Sequence, residues 1–126
     1  MITKPRQIGD GKLLELIESG DIEIRDVQSA HPTLVFRGRV ISPELVEQRG
    51  RYRIGSGNKR YTWRIRYGGQ RRRIVRSRLV WMFVHRQLIP DGEQIDHGEF
   101  GHQHDGIGNL TKMVYEDHYE KHYGSF

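Results

Sequence analysis

No cysteine occurs among the 126 residues. That excludes a disulfide framework, a thiolate zinc finger and a cysteine nucleophile, and it fits a reducing compartment such as the cytoplasm. Any bound metal must be held by His, Asp, Glu or Asn. Long apolar runs are missing too: none approaches the roughly 20 residues that cross a bilayer, so no membrane-embedded function is expected. Lys4 and Arg6 lie near the N-terminus, but no apolar stretch follows them as it would in a secretory leader. The length suits one compact domain with an appendage and is too short for two domains that each bury a core.

The most informative lack is of one sign of charge. Residues 49–90 contain thirteen Lys or Arg and no Asp or Glu, whereas residues 1–48 hold six basic and eight acidic side chains and residues 91–126 hold two and eight. The formal net charge of +5 hides this partition. A long segment without acids repels itself unless it faces a polyanion, and nucleic-acid phosphates are the common one. A solvated basic face with no partner is the alternative, although such surfaces normally mix both signs.

Ahead of the basic block, Asp10 caps a predicted helix running through Glu18, with Leu13, Leu14, Leu16 and Ile17 as its apolar stripe and Gly20 as its stop. Thr33 to Val40 reads as a strand, and Ser42-Pro43-Glu44 as the start of a second short helix ended by Gly50. Residues 1–50 are thus expected to form a small α/β extension and residues 51–126 the main unit. From Arg51 the pattern alternates, placing Tyr61, Trp63, Ile65 and Tyr67 on one strand face and basic residues on the other. Gly68-Gly69 is a two-residue hairpin turn, and Gln70 to Val75 is the return strand. Ser77 then caps a helix from Arg78 to Arg86, buried through Leu79, Val80, Phe83 and Val84 and widened by Trp81 and Met82. The aromatics read as core, with base stacking as the alternative. Arg64, Arg66, Arg71, Arg72, Arg73, Arg76 and Arg78 are the candidate DNA contacts.

The last third is acidic and rich in histidine, holding five of the seven: His97, His102, His104, His118 and His122. Acid plus imidazole suggests a metal. Asp96-His97 ends a predicted strand that begins near Gln94, and a Gly- and His-bearing loop runs to Ile107. Asn109-Leu110 opens a second extended stretch, and a helix follows from about Tyr115. On that helix His118 and His122 are four apart, so both imidazoles share a face. Such a pair is common on helix surfaces and does not specify a metal alone.

Taken together, the helix Arg78-Leu79-Val80-Trp81, the linker Ile89-Pro90-Asp91-Gly92, Ile95-Asp96-His97, Asn109-Leu110, and His118 followed by His122 resemble the HNH endonuclease family from about Arg71 to His122. The steps of twelve residues from His97 to Asn109 and nine from Asn109 to His118 fall within that family's habit. The resemblance implies an α+β fold built on a ββα-metal (His-Me finger) motif, here preceded by the basic hairpin and its helix. It also implies a phosphodiester hydrolase that cuts double-stranded DNA with a divalent ion, Mg²⁺ first, with Mn²⁺, Ni²⁺ or Zn²⁺ as alternatives. By the same resemblance His97 is the general base, Asp96 a metal ligand and His118 the ligand supplied from the helix. His122 matches a further ligand found in some members, and Asn109 the residue that braces the loop so that the base keeps its orientation. Glu116 and Asp117 read as helix caps, and His102 and His104 have no counterpart. Small phage-borne and intron-borne members resemble this chain in size and in their appendages, which implies the cytoplasm of a bacterium or a phage-infected cell. Monomer and dimer both stay open.

The residue types suit the chemistry. Water attacking a phosphodiester needs a base near neutral pKa, which imidazole supplies, and a divalent ion stabilises the charge that grows on the phosphoryl and departing oxygens. Strand geometry sets one condition. Neighbours in a strand point to opposite faces, so Asp96 and His97 serve one phosphate only where the strand ends or bends, for which Gly98 gives freedom. The alternative from another class is a non-catalytic DNA- or RNA-binding module with a structural zinc held by His97, His118 and His122. It explains the basic hairpin equally well but not Asn109 at the motif's place.

Overall fold

A computed structural model describes residues 6–47 and 59–114. The expected helix from Tyr115, with His118 and His122, lies outside the described residues, as do the alternating segment from Arg51 to Asn58 and the stop at Gly50. Among the described residues the chain is α+β, and it opens with strand β1 (Arg6–Gln7) and helix α1 (Asp10–Glu18). Gly9, not Asp10, is the flanking residue of α1, so the Asp10 carboxylate is not its cap and is spent elsewhere. Leu13, Leu16 and Ile17 are buried, and Gly20 ends the helix in the left-handed region at φ +86°.

Next comes β2 (Ile22–Arg25), which sequence reasoning overlooked although Ile22 and Ile24 are buried and Glu23 and Arg25 exposed in strict alternation. The expected strand from Thr33 to Val40 is two, β3 (Thr33–Phe36) and β4 (Arg39–Ile41), folded back at Arg37-Gly38 where φ is +49° and +79°. Two positive φ values in succession make the hairpin turn that matches strand twist. Strands β2, β3 and β4 form one sheet.

A strand replaces the second expected helix. β5 (Pro43–Glu47) pairs antiparallel with β6 (Lys59–Tyr67), from Pro43 opposite Trp63 to Glu47 opposite Lys59. Proline at the first position of an edge strand loses no ladder bond, and long-range pairing overrides the local helix-start signal. β6 turns through Gly68 and Gly69, at φ +62° and +74°, into β7 (Gln70–Val75). β1 adds to the far side of β7 in parallel, giving the order β1-β7-β6-β5.

Helix α2 (Arg76–His85) follows with Val75 as its flanking residue, so Ser77 sits inside the first turn and is buried rather than capping. Its buried face is Arg76, Leu79, Val80, Trp81 and Met82, whereas Val84, expected inside, is 38 % exposed. The helix ends at Arg86, whose φ is +54° and whose guanidinium Nη1 donates to the Ile17 carbonyl at 3.2 Å. The chain closes on a hairpin of β8 (Glu93–His97) and β9 (Leu110–Val114), joined by a loop that ends in a 3₁₀ turn at Ile107–Asn109.

One apolar cluster joins α1, β2 and β3 to Trp63, Ile65, Ile74, α2, Ile95 and Leu110. Residues before and after position 50 therefore share a core. Trp63 is fully enclosed in it, so Trp63→Ala should lower stability by about 3–5 kcal/mol through lost burial and an unfilled cavity. Val40, 61 % exposed, should tolerate alanine within about 0.5 kcal/mol. Urea unfolding followed by circular dichroism checks both.

Candidate active site

The β8–β9 hairpin sets the frame. Its register runs without a break to the His97–Leu110 pair, so Asp96, opposite Thr111, and His97, opposite Leu110, leave the strand on opposite sides. His97 shares its side with Ile95 and Leu110, which belong to the core. Both Asp96 and His97 are buried. The bend that would aim the two at one point does not occur before Gly98.

The loop between them is tied by one side chain. The Asn109 carboxamide oxygen accepts the Phe100 N–H at 3.2 Å, and its nitrogen donates to the carbonyls of Gly101 at 3.1 Å and His104 at 2.9 Å. Its backbone carbonyl accepts the Gly98 N–H at 2.9 Å. Asn109 thus holds the start, middle and end of the loop, and it is 4 % exposed. Gly98 is required by this arrangement, since a Cβ there would lie 2.8 Å from the Asn109 Oδ1.

Asp105, at the end of the loop, is the charge that organises the interior. Its Oδ1 lies 2.7 Å from His97 Nε2 and its Oδ2 accepts from Arg76 Nε at 2.6 Å, all three side chains being almost fully enclosed. Arg76 Nη2 also reaches the carbonyls of Ala30 at 3.4 Å and Gln103 at 3.3 Å and the His31 Nδ1 at 3.0 Å, and its guanidinium lies 4.1 Å from the Tyr61 ring centre. The residue 27–31 segment closes the group. Asp105 N–H donates to Ala30 O at 2.9 Å and Ile107 N–H to Val27 O at 2.7 Å. On the other side, the His102 ring stands edge-on to His97 with centres 5.6 Å apart. Arg60 lies within the field of both Asp96 and Asp105; burial lowers its pKa from the usual guanidinium value, and the two carboxylates oppose that shift.

Asp96 is the one expected metal ligand among the described residues; His118 and His122 lie outside them. Among the described residues, no three of His, Asp and Glu converge on a point where a cation could sit.

The expected DNA contacts divide. Pairing of Arg64 with Arg73 and of Arg66 with Arg71 stacks four guanidinium side chains on one face of the β6–β7 hairpin. Arg72, opposite Ile65, belongs to the other face, with Trp63 and Ile74, so the three consecutive arginines do not form one surface. Arg64 pairs with Glu44, and Arg64, Arg66 and Arg71 line a groove of about 470 Å³ with Val40, Ile41 and Glu44. Arg76 departs from expectation altogether, because it has no exposed surface with which to meet a phosphate. Arg78 holds Asp10 of α1 at 2.6 Å.

Sequence reasoning missed Asp105 and the inward role of Arg76. The available signal was an acid directly after His104 in a loop whose two ends pair as strands. No protein-family model, curated protein or solved structure matches the chain.

The crowding of Gly98 against Asn109 gives a sharp test. Gly98→Ala and Asn109→Ala should each destabilise, the second by about 1–3 kcal/mol for the loop groups it strands. In the Asn109→Ala background the obstructing oxygen is gone, so the alanine at 98 should cost at least about 1 kcal/mol less than alone. Additive losses in a double-mutant cycle of urea midpoints would show that this crowding does not govern the loop.

Proposed function

We propose that the protein is a metal-dependent DNA endonuclease of the HNH type, hydrolysing phosphodiester bonds with His97 as general base. The observation that carries this reading is the Asn109-braced loop, which joins Asp96-His97 on one strand to Leu110 on the next and returns Asp105 against the His97 imidazole. A base held by an ionised carboxylate inside a rigid loop is oriented before substrate arrives. Asp96, with His118 and His122, would hold a divalent ion, Mg²⁺ first and Mn²⁺, Ni²⁺ or Zn²⁺ as alternatives, to stabilise charge growing on the phosphoryl oxygens, which requires the end of β8 to bend so that Asp96 and His97 face one phosphate. The arginine face of the hairpin supplies backbone grip on the duplex without reading its sequence. His97 is enclosed, with the His102 ring edge-on to it, so productive binding requires the groups that cover the imidazole to move.

A second reading is favoured by that same burial. It is a nucleic-acid-binding module with a structural zinc, in which His97 serves the fold and cuts nothing.

Incubating the purified protein with supercoiled plasmid and each of the four metals separates the two. Nicked or linear product that disappears in His97→Ala, with DNA affinity unchanged, is the expected result; no cleavage with any metal favours the binding module. Asp96→Ala should abolish cutting and weaken Mn²⁺ binding by calorimetry, and undiminished binding would remove Asp96 as a ligand.

The electrostatic part is tested independently. Replacing Arg66, Arg71 and Arg73 by Gln should lower the slope of log K against log salt on duplex DNA by about 2 to 3, at about 0.9 for each phosphate no longer neutralised. Arg72→Gln, on the opposite face, should change it by less than about one. An unchanged slope in the triple variant would mean that the arginine face does not meet DNA.

A further inference from the structure

Four segments distant in sequence meet at one carboxylate. Arg76 starts α2, Asp105 ends the loop before the 3₁₀ turn, His97 ends β8, and Ala30 and His31 come from the N-terminal half. The Ala30 carbonyl accepts from both Arg76 Nη2 and the Asp105 N–H, so the same oxygen seats both members of the ion pair.

For a neutral His97 imidazole, the proton bookkeeping in this group has one solution. A guanidinium keeps its charge in proteins, so Asp105, bonded to Arg76 Nε at 2.6 Å, is an anion that can only accept hydrogen bonds. Its second oxygen sits 2.7 Å from His97 Nε2, a separation that a lone pair on that nitrogen would make repulsive. The hydrogen of the neutral imidazole must therefore be on Nε2. The lone pair falls to Nδ1, which is buried and has no hydrogen-bond partner among the described residues. His31 Nδ1 is likewise an acceptor, since the Arg76 nitrogen facing it at 3.0 Å can only donate.

We propose that Arg76 and Asp105 are positioning residues whose buried ion pair locks His97 in the Nε2–H tautomer, leaving Nδ1 as the nitrogen that acts. The inference rests on the reading of His97 as a working residue, and it names the atom. In hydrolysis Nδ1 takes a proton from the attacking water as the water oxygen bonds to phosphorus. The bond from phosphorus to the 3′ oxygen breaks, and that oxygen keeps the electron pair and is protonated from solvent. The residue 27–31 segment takes part by seating Arg76, which gives the N-terminal half a place in the site.

The test is the tautomer itself, read by two-bond ¹H–¹⁵N correlation on the uniformly labelled full chain at a pH above the ordinary imidazole range. His97 is expected to show the Nε2–H pattern. In Asp105→Asn the carboxamide must keep its oxygen on Arg76 Nε and turn its NH₂ towards His97. That should move the imidazole hydrogen to Nδ1. Cleavage should then fall by about 10³- to 10⁴-fold, as wrong-tautomer variants of oriented histidines do, with DNA affinity changed less than about threefold. An Nδ1–H pattern in the wild type overturns the proposal, and so does an Asp105→Asn protein that folds and keeps the Nε2–H pattern. If that variant does not fold, the wild-type spectrum alone decides. A wild type that shows Nε2–H yet cuts no DNA would sink the nuclease reading and leave the positioning claim standing.

Discussion

A guanidinium with no exposed surface needs close partners, and that demand at Arg76, met at Nε and Nη2, shapes much of this molecule. Stripping water from an ion costs several kcal/mol even after relaxation, and only close, well-aimed partners offset it. Arg76 finds a carboxylate, two carbonyls, an imidazole and an aromatic face, drawn from both halves of the chain. The partners cannot be gathered separately. Asp105 is in place only if Asn109 has drawn the loop together, and Ala30 only if the N-terminal strands have packed on α2.

The arginine face makes the opposite choice. There, like charges lie directly across from each other on paired strands, an arrangement that weakens a hairpin. Trp63, Ile65 and Ile74 on the reverse side, with β5 and β1 flanking, keep the hairpin in register despite the repulsion. A surface kept against its own electrostatics invites a polyanion, and the fold tolerates it because its other face is anchored in the core. Charge buried at Arg76 specifies the interior, while charge displayed at Arg66 and Arg71 is available to a partner.

Local chemistry made part of this legible in the sequence. Gly68-Gly69 and the alternation around Trp63 give β6 and β7 almost to the residue, because turn type and side-chain period are properties of neighbouring residues. Gly20 stops α1 for the same kind of reason. Where pairing is long-range the signal fails: Pro43-Glu44 looks like a helix start, and only the presence of β6 beside it makes it an edge strand. Arg76 escapes notice for a related reason. Among thirteen basic residues in one block nothing local distinguishes the one that turns inward, since what draws it there is an aspartate 29 positions on. Asn109 stands out by spacing, but the three chain positions its side chain bonds are visible only once the loop is folded.

The bonds that seat α1 against α2 reach far along the chain: Arg78 meets Asp10 across 68 positions and Arg86 meets Ile17 across 69. Pairings of that span cost more closure entropy than local turns do, although the cost grows only slowly with length. The interior around His97 draws on residues 30, 76 and 105 at once. A nascent chain ending short of residue 105 therefore lacks the partner that makes burial of Arg76 tolerable, and the His97 environment arises in the same cooperative step as the fold.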